Sequence, residues 1–73
     1  MQTGYWISHN HIFGPEMSGQ FYISETGHIF GPKNSGIFYV GEGGHIFGPK
    51  DSGEFWISEN HIFGPSKTLP WME

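Results

Sequence analysis

Apolar residues along this chain come in short runs, separated by polar or glycine-rich stretches of similar length. Tyr5-Trp6-Ile7, Phe21-Tyr22-Ile23, Phe38-Tyr39-Val40 and Phe55-Trp56-Ile57 each join an aromatic pair to a β-branched residue. Downstream of each stands His-Ile-Phe-Gly-Pro, beginning at His11, His28, His45 and His61. Both segments are short, rich in aromatic or β-branched residues and bounded by turn formers, which predicts strands. A helix would have to accommodate Gly-Pro at roughly every 17th residue, which proline and glycine forbid. The pattern therefore predicts four β-hairpins.

The loops between paired segments come in two lengths. Ser8-His9-Asn10 and Ser58-Glu59-Asn60 separate the β-branched residue from His in the first and last units. Ser24-Glu25-Thr26-Gly27 and Gly41-Glu42-Gly43-Gly44 do so in the middle two. If the residue after the β-branched position pairs with His, the short loops end in Asn, which tolerates positive φ. The longer loops then end in Gly, as a type I turn closed by a bulge requires. Both solutions keep the same strand register. In the last unit Ser58 then opposes His61, Ile57 opposes Ile62, Trp56 opposes Phe63 and Phe55 opposes Gly64. Directly opposed residues share a face. One face thus carries Phe55, Ile57 and Ile62, and the other Trp56, Phe63, Ser58 and His61. Both are apolar enough that no hairpin can stand alone.

Linkers such as Pro32-Lys33-Asn34-Ser35-Gly36 read as turns. Trp71 falls where a fifth unit would begin, and it is expected to cover the first or last hairpin. The end units keep the full motif and lack polar caps, which favours a closed arrangement over an open stack. The expected fold is all-β: four hairpin repeats (about residues 4–19, 20–36, 37–53 and 54–71) in one domain spanning 1–73. They would form a pseudo-fourfold symmetric closed ring or shallow barrel. This aromatic-Ile-Ser … His-Ile-Phe-Gly-Pro-x-x-Ser-Gly pattern, from about Tyr5 to Trp71, resembles the fourfold β-flower family. The resemblance implies hairpin petals around an axial hole or pocket, and no established activity. A weaker likeness links Phe21-Tyr22-Ile23 through Gly31-Pro32 to GYF-type modules, whose helix is missing here.

Composition narrows the function classes. The 73 residues include no cysteine, so neither a disulfide nor a thiolate metal site is available. Seven Phe, three Trp and three Tyr supply the core mass that so small a domain needs. The formal charge is −4, with Lys33, Lys50 and Lys67 the only cationic side chains besides histidine, which argues against nucleic acid. No run approaches a membrane span and no signal peptide is evident, so the chain reads as soluble and cytoplasmic.

The candidate chemistry comes from repetition. His11, His28, His45 and His61 recur once per unit. Gathered on an axis they would bind an anion or small ligand, or form a metal-binding collar; otherwise each caps a strand beside its turn. Trp6, Tyr22, Tyr39 and Trp56 would stack on a flat ligand, or else serve as core or as a contact between subunits. The paired lysines Lys33 and Lys50 offer a local anion contact, and Glu25, Glu42 and Glu59 belong to exposed loops. No nucleophile–base pair, phosphate loop or carboxylate dyad is present by spacing, so no catalytic residue is assigned. Three readings follow: a small-molecule binding module with an axial pocket for a nucleotide-like or acyl-carrying cofactor, a protein-interaction or self-assembly module, or a metal-binding histidine collar.

Overall fold

Both turn chemistries are present in the structure, a computed structural model that describes Met1 through Glu73. His9 (φ 51°) and Asn10 (66°), like Glu59 (50°) and Asn60 (66°), are left-handed at both central positions. That is a type I′ turn, whose twist matches the strands it joins. Gly27 (φ 89°) and Gly44 (81°) end the longer loops, but in the third unit Gly43 is left-handed as well (φ 75°, ψ 4°), so that turn departs from the expected type I.

The strands are β1 (Gln2–Ser8), β2 (His11–Phe13), β3 (Phe21–Ile23), β4 (Ile29–Phe30), β5 (Tyr39–Val40), β6 (His45–Phe47), β7 (Phe55–Ser58) and β8 (His61–Phe63). Ser8 opposes His11 and Ile7 opposes Ile12 in the first hairpin. Ser58 opposes His61 and Ile57 opposes Ile62 in the last. The bulged loops preserve the register, because Ile23 opposes Ile29 and Val40 opposes Ile46. The expected pairing holds throughout.

All strands run antiparallel in one sheet of order β4-β3-β2-β1-β8-β7-β6-β5. Its two ends meet through a bridge between His28 and Tyr39. Ile29 N–H donates to the Phe38 carbonyl and Val40 N–H to the Gly27 carbonyl there, each at 2.8 Å. The sheet is therefore a nearly closed barrel. Bonds of the same kind join other hairpins: Ile23 N–H reaches the Asn10 carbonyl and Ile7 N–H the Asn60 carbonyl, both at 2.7 Å. This recurrence is compatible with a fourfold repeat.

The inner face follows the predicted alternation. Tyr5, Phe21, Phe38 and Phe55 are buried with Ile12, Ile29, Ile46 and Ile62. Each of these aromatic rings lies across the glycine of its own return strand. A Cβ added at Gly14, Gly31, Gly48 or Gly64 would sit 2.2–2.3 Å from the ring of Tyr5, Phe21, Phe38 or Phe55 respectively. The Gly of His-Ile-Phe-Gly is thus a seat for a ring.

In the linkers, Ser18, Ser35 and Ser52 accept from the N–H of Gly14, Gly31 and Gly48 at 3.1–3.2 Å. Gly19, Gly36 and Gly53, all at positive φ, donate to the carbonyls of Ile12, Ile29 and Ile46 at 2.7–2.8 Å. The last hairpin lacks such a linker, and the N-terminal segment replaces it. Thr3 Oγ1 donates to the Ile62 carbonyl at 2.8 Å, where the other units use a glycine N–H. Gly64 N–H donates to the Met1 carbonyl at 2.9 Å. Thr3 is 1% exposed and its hydroxyl also accepts from Tyr5 N–H. Thr3→Val keeps the shape and orphans both groups. It should cost about 1–3 kcal/mol, measurable by urea denaturation with an unchanged m-value.

Trp71 does not merely cover a hairpin. It is fully buried, with its ring edge-on to Phe38 and Phe55 at 6.0 and 6.3 Å. The preceding segment brings in Leu69, also buried, and Pro70 starts a short 3-10 turn over Pro70–Met72. Asn34 Nδ2 donates to the Trp71 carbonyl at 3.0 Å and to the Glu73 carbonyl at 3.1 Å. Lys33 reaches the Met72 carbonyl and Lys50 pairs with Glu73. The C-terminal segment therefore closes the linker end of the barrel. The lysines expected to meet an external anion are engaged by this tail instead.

Candidate functional site

The outer face of the barrel carries the second half of each strand pattern. Trp6, Tyr22 and Tyr39 are 42–44% exposed, and Trp56 is half-buried. Pleating alone sends them outward, because their sequence neighbours Tyr5, Phe21, Phe38 and Phe55 point in. Each meets the Phe of its own return strand. Trp6 with Phe13, Tyr22 with Phe30 and Trp56 with Phe63 stack at 6.1, 5.7 and 5.7 Å. Tyr39 with Phe47 lies at 5.7 Å in a tilted arrangement.

The repeat histidines fill the seams between hairpins. His11 lies against Tyr22 at 5.6 Å, His28 against Tyr39 at 5.8 Å and His45 against Trp56 at 6.2 Å. His61 opposes Trp6 in the β1–β8 register. Rings of benzene, indole and imidazole therefore succeed one another around the barrel as a belt.

His11 Nδ1 bonds the His9 carbonyl and His45 Nδ1 the Gly53 carbonyl, each at 3.1 Å. A carbonyl only accepts, so Nδ1 carries a proton in both. His28 Nδ1 pairs with Thr26 Oγ1 at 3.0 Å. Ser8, Ser24 and Ser58 complete the outer face, with Gly41 at the same place in the third unit. No carboxylate or lysine stands among these positions. The acidic residues Glu25, Glu42 and Glu59 lie in the loops, exposed as expected.

These eight residues do not meet on the axis, as an axial ligand pocket would require; His11 and His28 instead bond beside their turns, the other reading open to them. Side chains alternate across a strand, so the register that buries the Ile of His-Ile-Phe necessarily turns His and Phe away from the interior. The histidines are distributed, one to each seam, and no three potential ligands among His, Asp and Glu converge. The interior is filled by the buried aromatics, the four isoleucines and Trp71. No axial pocket remains.

A cavity does exist, and sequence reasoning missed it. It holds about 170 Å³ and lies between the first linker and the C-terminal segment. Tyr5, Glu16, Met17, Lys67, Thr68, Leu69 and Met72 line it. Burial, and then the charge of Glu16, hold the Tyr5 phenol above its ordinary pKa, against an opposing backbone hydrogen bond at Glu16. One signal was available in the chain: Tyr5 stands where the other units have Phe.

No helix is long and apolar enough to cross a membrane. No protein family matches the chain. Comparison with curated proteins and with solved structures finds no match.

Proposed function

We propose that this chain is a protein-interaction module whose aromatic–imidazole belt is its contact surface. One observation carries the reading: an outer face of Trp, Tyr, Phe and His, with ring contacts across three of its four seams and free of charged side chains, on a chain whose charges lie in loops, linkers and tail. Interface cores are enriched in Trp, Tyr and Phe and depleted in Lys, Glu and Asp, which is the composition found here. A small molecule needs a concave site to bury most of its surface, and the belt is convex with no cavity along it. A broad protein surface needs none. The rings are also held in place by one another, so little side-chain freedom is lost when a partner covers them.

The partner is a different protein, presenting apolar anchors and polar groups that pair with the imidazoles. Two copies of this chain would each bring a charge of −4, which disfavours self-association. The test is retention on an immobilised chain, compared with the variant Trp6→Ser, Tyr22→Ser, Tyr39→Ser and Trp56→Ser. Belt positions are outward, so the variant should remain folded by circular dichroism. A protein held by the wild type and lost from the folded variant, with an affinity drop of a hundredfold or more (about 3 kcal/mol or above across several anchors), supports the proposal. Equal retention by both places the contact elsewhere. Belt-dependent dimers in light scattering would make a second copy the partner.

A further inference from the structure

We propose that the cavity beside Tyr5 is a binding site for a small zwitterion with an apolar side chain, the chemistry of a free aliphatic amino acid. The site is separate from the belt, and the inference does not depend on the reading given for it.

The cavity lining has two parts. Met17, Leu69, Met72 and the Tyr5 ring supply apolar wall, while Glu16, Lys67, Thr68 and the Tyr5 hydroxyl supply polar groups. Glu16 and Lys67 bear opposite charges on one small cavity, yet they do not pair with each other. The one ion pair within 4 Å in the chain is Lys50 with Glu73. Both are exposed, and a ligand carrying an ammonium and a carboxylate on neighbouring atoms would pair with the two at once. The volume of about 170 Å³ is below the roughly 300–1,000 Å³ of drug-sized pockets, so the ligand is small.

The departures from the internal repeat converge on this place. Tyr5 carries a hydroxyl where Phe21, Phe38 and Phe55 carry none. Met17 holds a positive φ of 51°, as do Asn34 (50°) and Asp51 (52°) at the same place in the next two linkers. Asn and Asp visit that region readily and Met does not. The first linker therefore accepts a backbone cost to present a thioether, and that side chain lines the cavity. The second and third linkers instead bind the tail through Lys33, Asn34 and Lys50. Local rules broken at a point are expected where a site is built. Here two such breaks share one cavity.

Methionine methyl groups offer a direct readout. Met17 and Met72 line the cavity, and Met1, at 61% exposure, lies outside it. The chain labelled with methyl-¹³C methionine is titrated with L-leucine to about 20 mM, well above a Kd of about 1 mM. Saturable shifts of the Met17 and Met72 resonances with Met1 unmoved are expected. N-acetyl-leucine and leucinamide each lack one charge, and should bind at least about tenfold more weakly. Lys67→Gln and Glu16→Gln should each lose a similar factor. Tyr5→Phe, which restores the residue found in the other units, should fold normally and bind several-fold more weakly. Absence of saturable shifts at Met17 and Met72 overturns the proposal. So do equal affinities for the three ligands, or binding indifferent to both charge substitutions.

Discussion

Trp71→Ala is expected to lower stability by about 3–5 kcal/mol, the range for truncating a large buried aromatic. At about 0.05–0.15 kcal/mol per residue, a domain of 73 residues holds only about 4–11 kcal/mol in total. The substitution thus takes about a quarter of it at the least, and the melting temperature should fall by roughly 12 °C or more. The cause is local. Trp71 is fully buried and supplies the ring against which Phe38 and Phe55 pack edge-on. Alanine leaves a void that the barrel cannot collapse into, because its strands are held to one another on both sides. Trp71→Phe separates packing from polarity. The indole Nε1 is buried with no hydrogen-bond partner, and an orphaned donor costs about 1–3 kcal/mol. Phenylalanine loses contact area but relieves that cost, so its net effect should lie within about 1 kcal/mol of zero. A loss as large as alanine's would show that the indole N–H has a partner.

Gly31→Ala is the second large effect. The new Cβ would lie 2.3 Å from Cδ2 of Phe21, whose ring is fully buried and has nowhere to go. Overpacking of this kind costs about 1–3 kcal/mol, and more where nothing yields; the upper end is expected here. Gly48→Ala against Phe38 should behave alike. Gly4→Ala is the informative control. Gly4 has a φ of +92° but nothing within 4 Å of its added Cβ. Its cost is conformational alone, about 1 kcal/mol. Thermal melts of the three variants should rank Gly4→Ala mildest. If Gly31→Ala is no worse, the aromatic ring does not rest on the glycine.

Much of the barrel was legible in the sequence, for identifiable reasons. Asn10 and Asn60 against Gly27 and Gly44 distinguish the two turn types, and together they fix a single register. That register placed Phe55 across from Gly64 and sorted the residues into two faces, of which the one with Phe55 and Ile62 is buried. What it did not reveal is which face closes around the centre. Both faces are apolar, so period-two alternation separates them without labelling them. The histidines could therefore be read either as an axial cluster or as strand caps beside their turns, and the pleat carries them outward to the seams. The role of Trp71 was half visible: its spacing marked it as a closing residue, but its depth depends on contacts with Phe38 and Phe55. The cavity was the least visible feature. It is formed by Glu16 and Met17 meeting residues 67–72, about 50 positions away in sequence, and no local pattern records that encounter.

The seam between Thr3 and Ile62 has a bearing on how this protein is made. Its two partners are 59 positions apart, so during synthesis the opening residues leave the ribosome long before the strand they join. Until the segment from His61 to Trp71 emerges, the preceding hairpins have no enclosed centre, and their apolar sides stay wet. Such intermediates are prone to aggregate. Sealing the barrel therefore waits on the segment from His61 to Trp71, and translation that stalls before it leaves an unsealed shell.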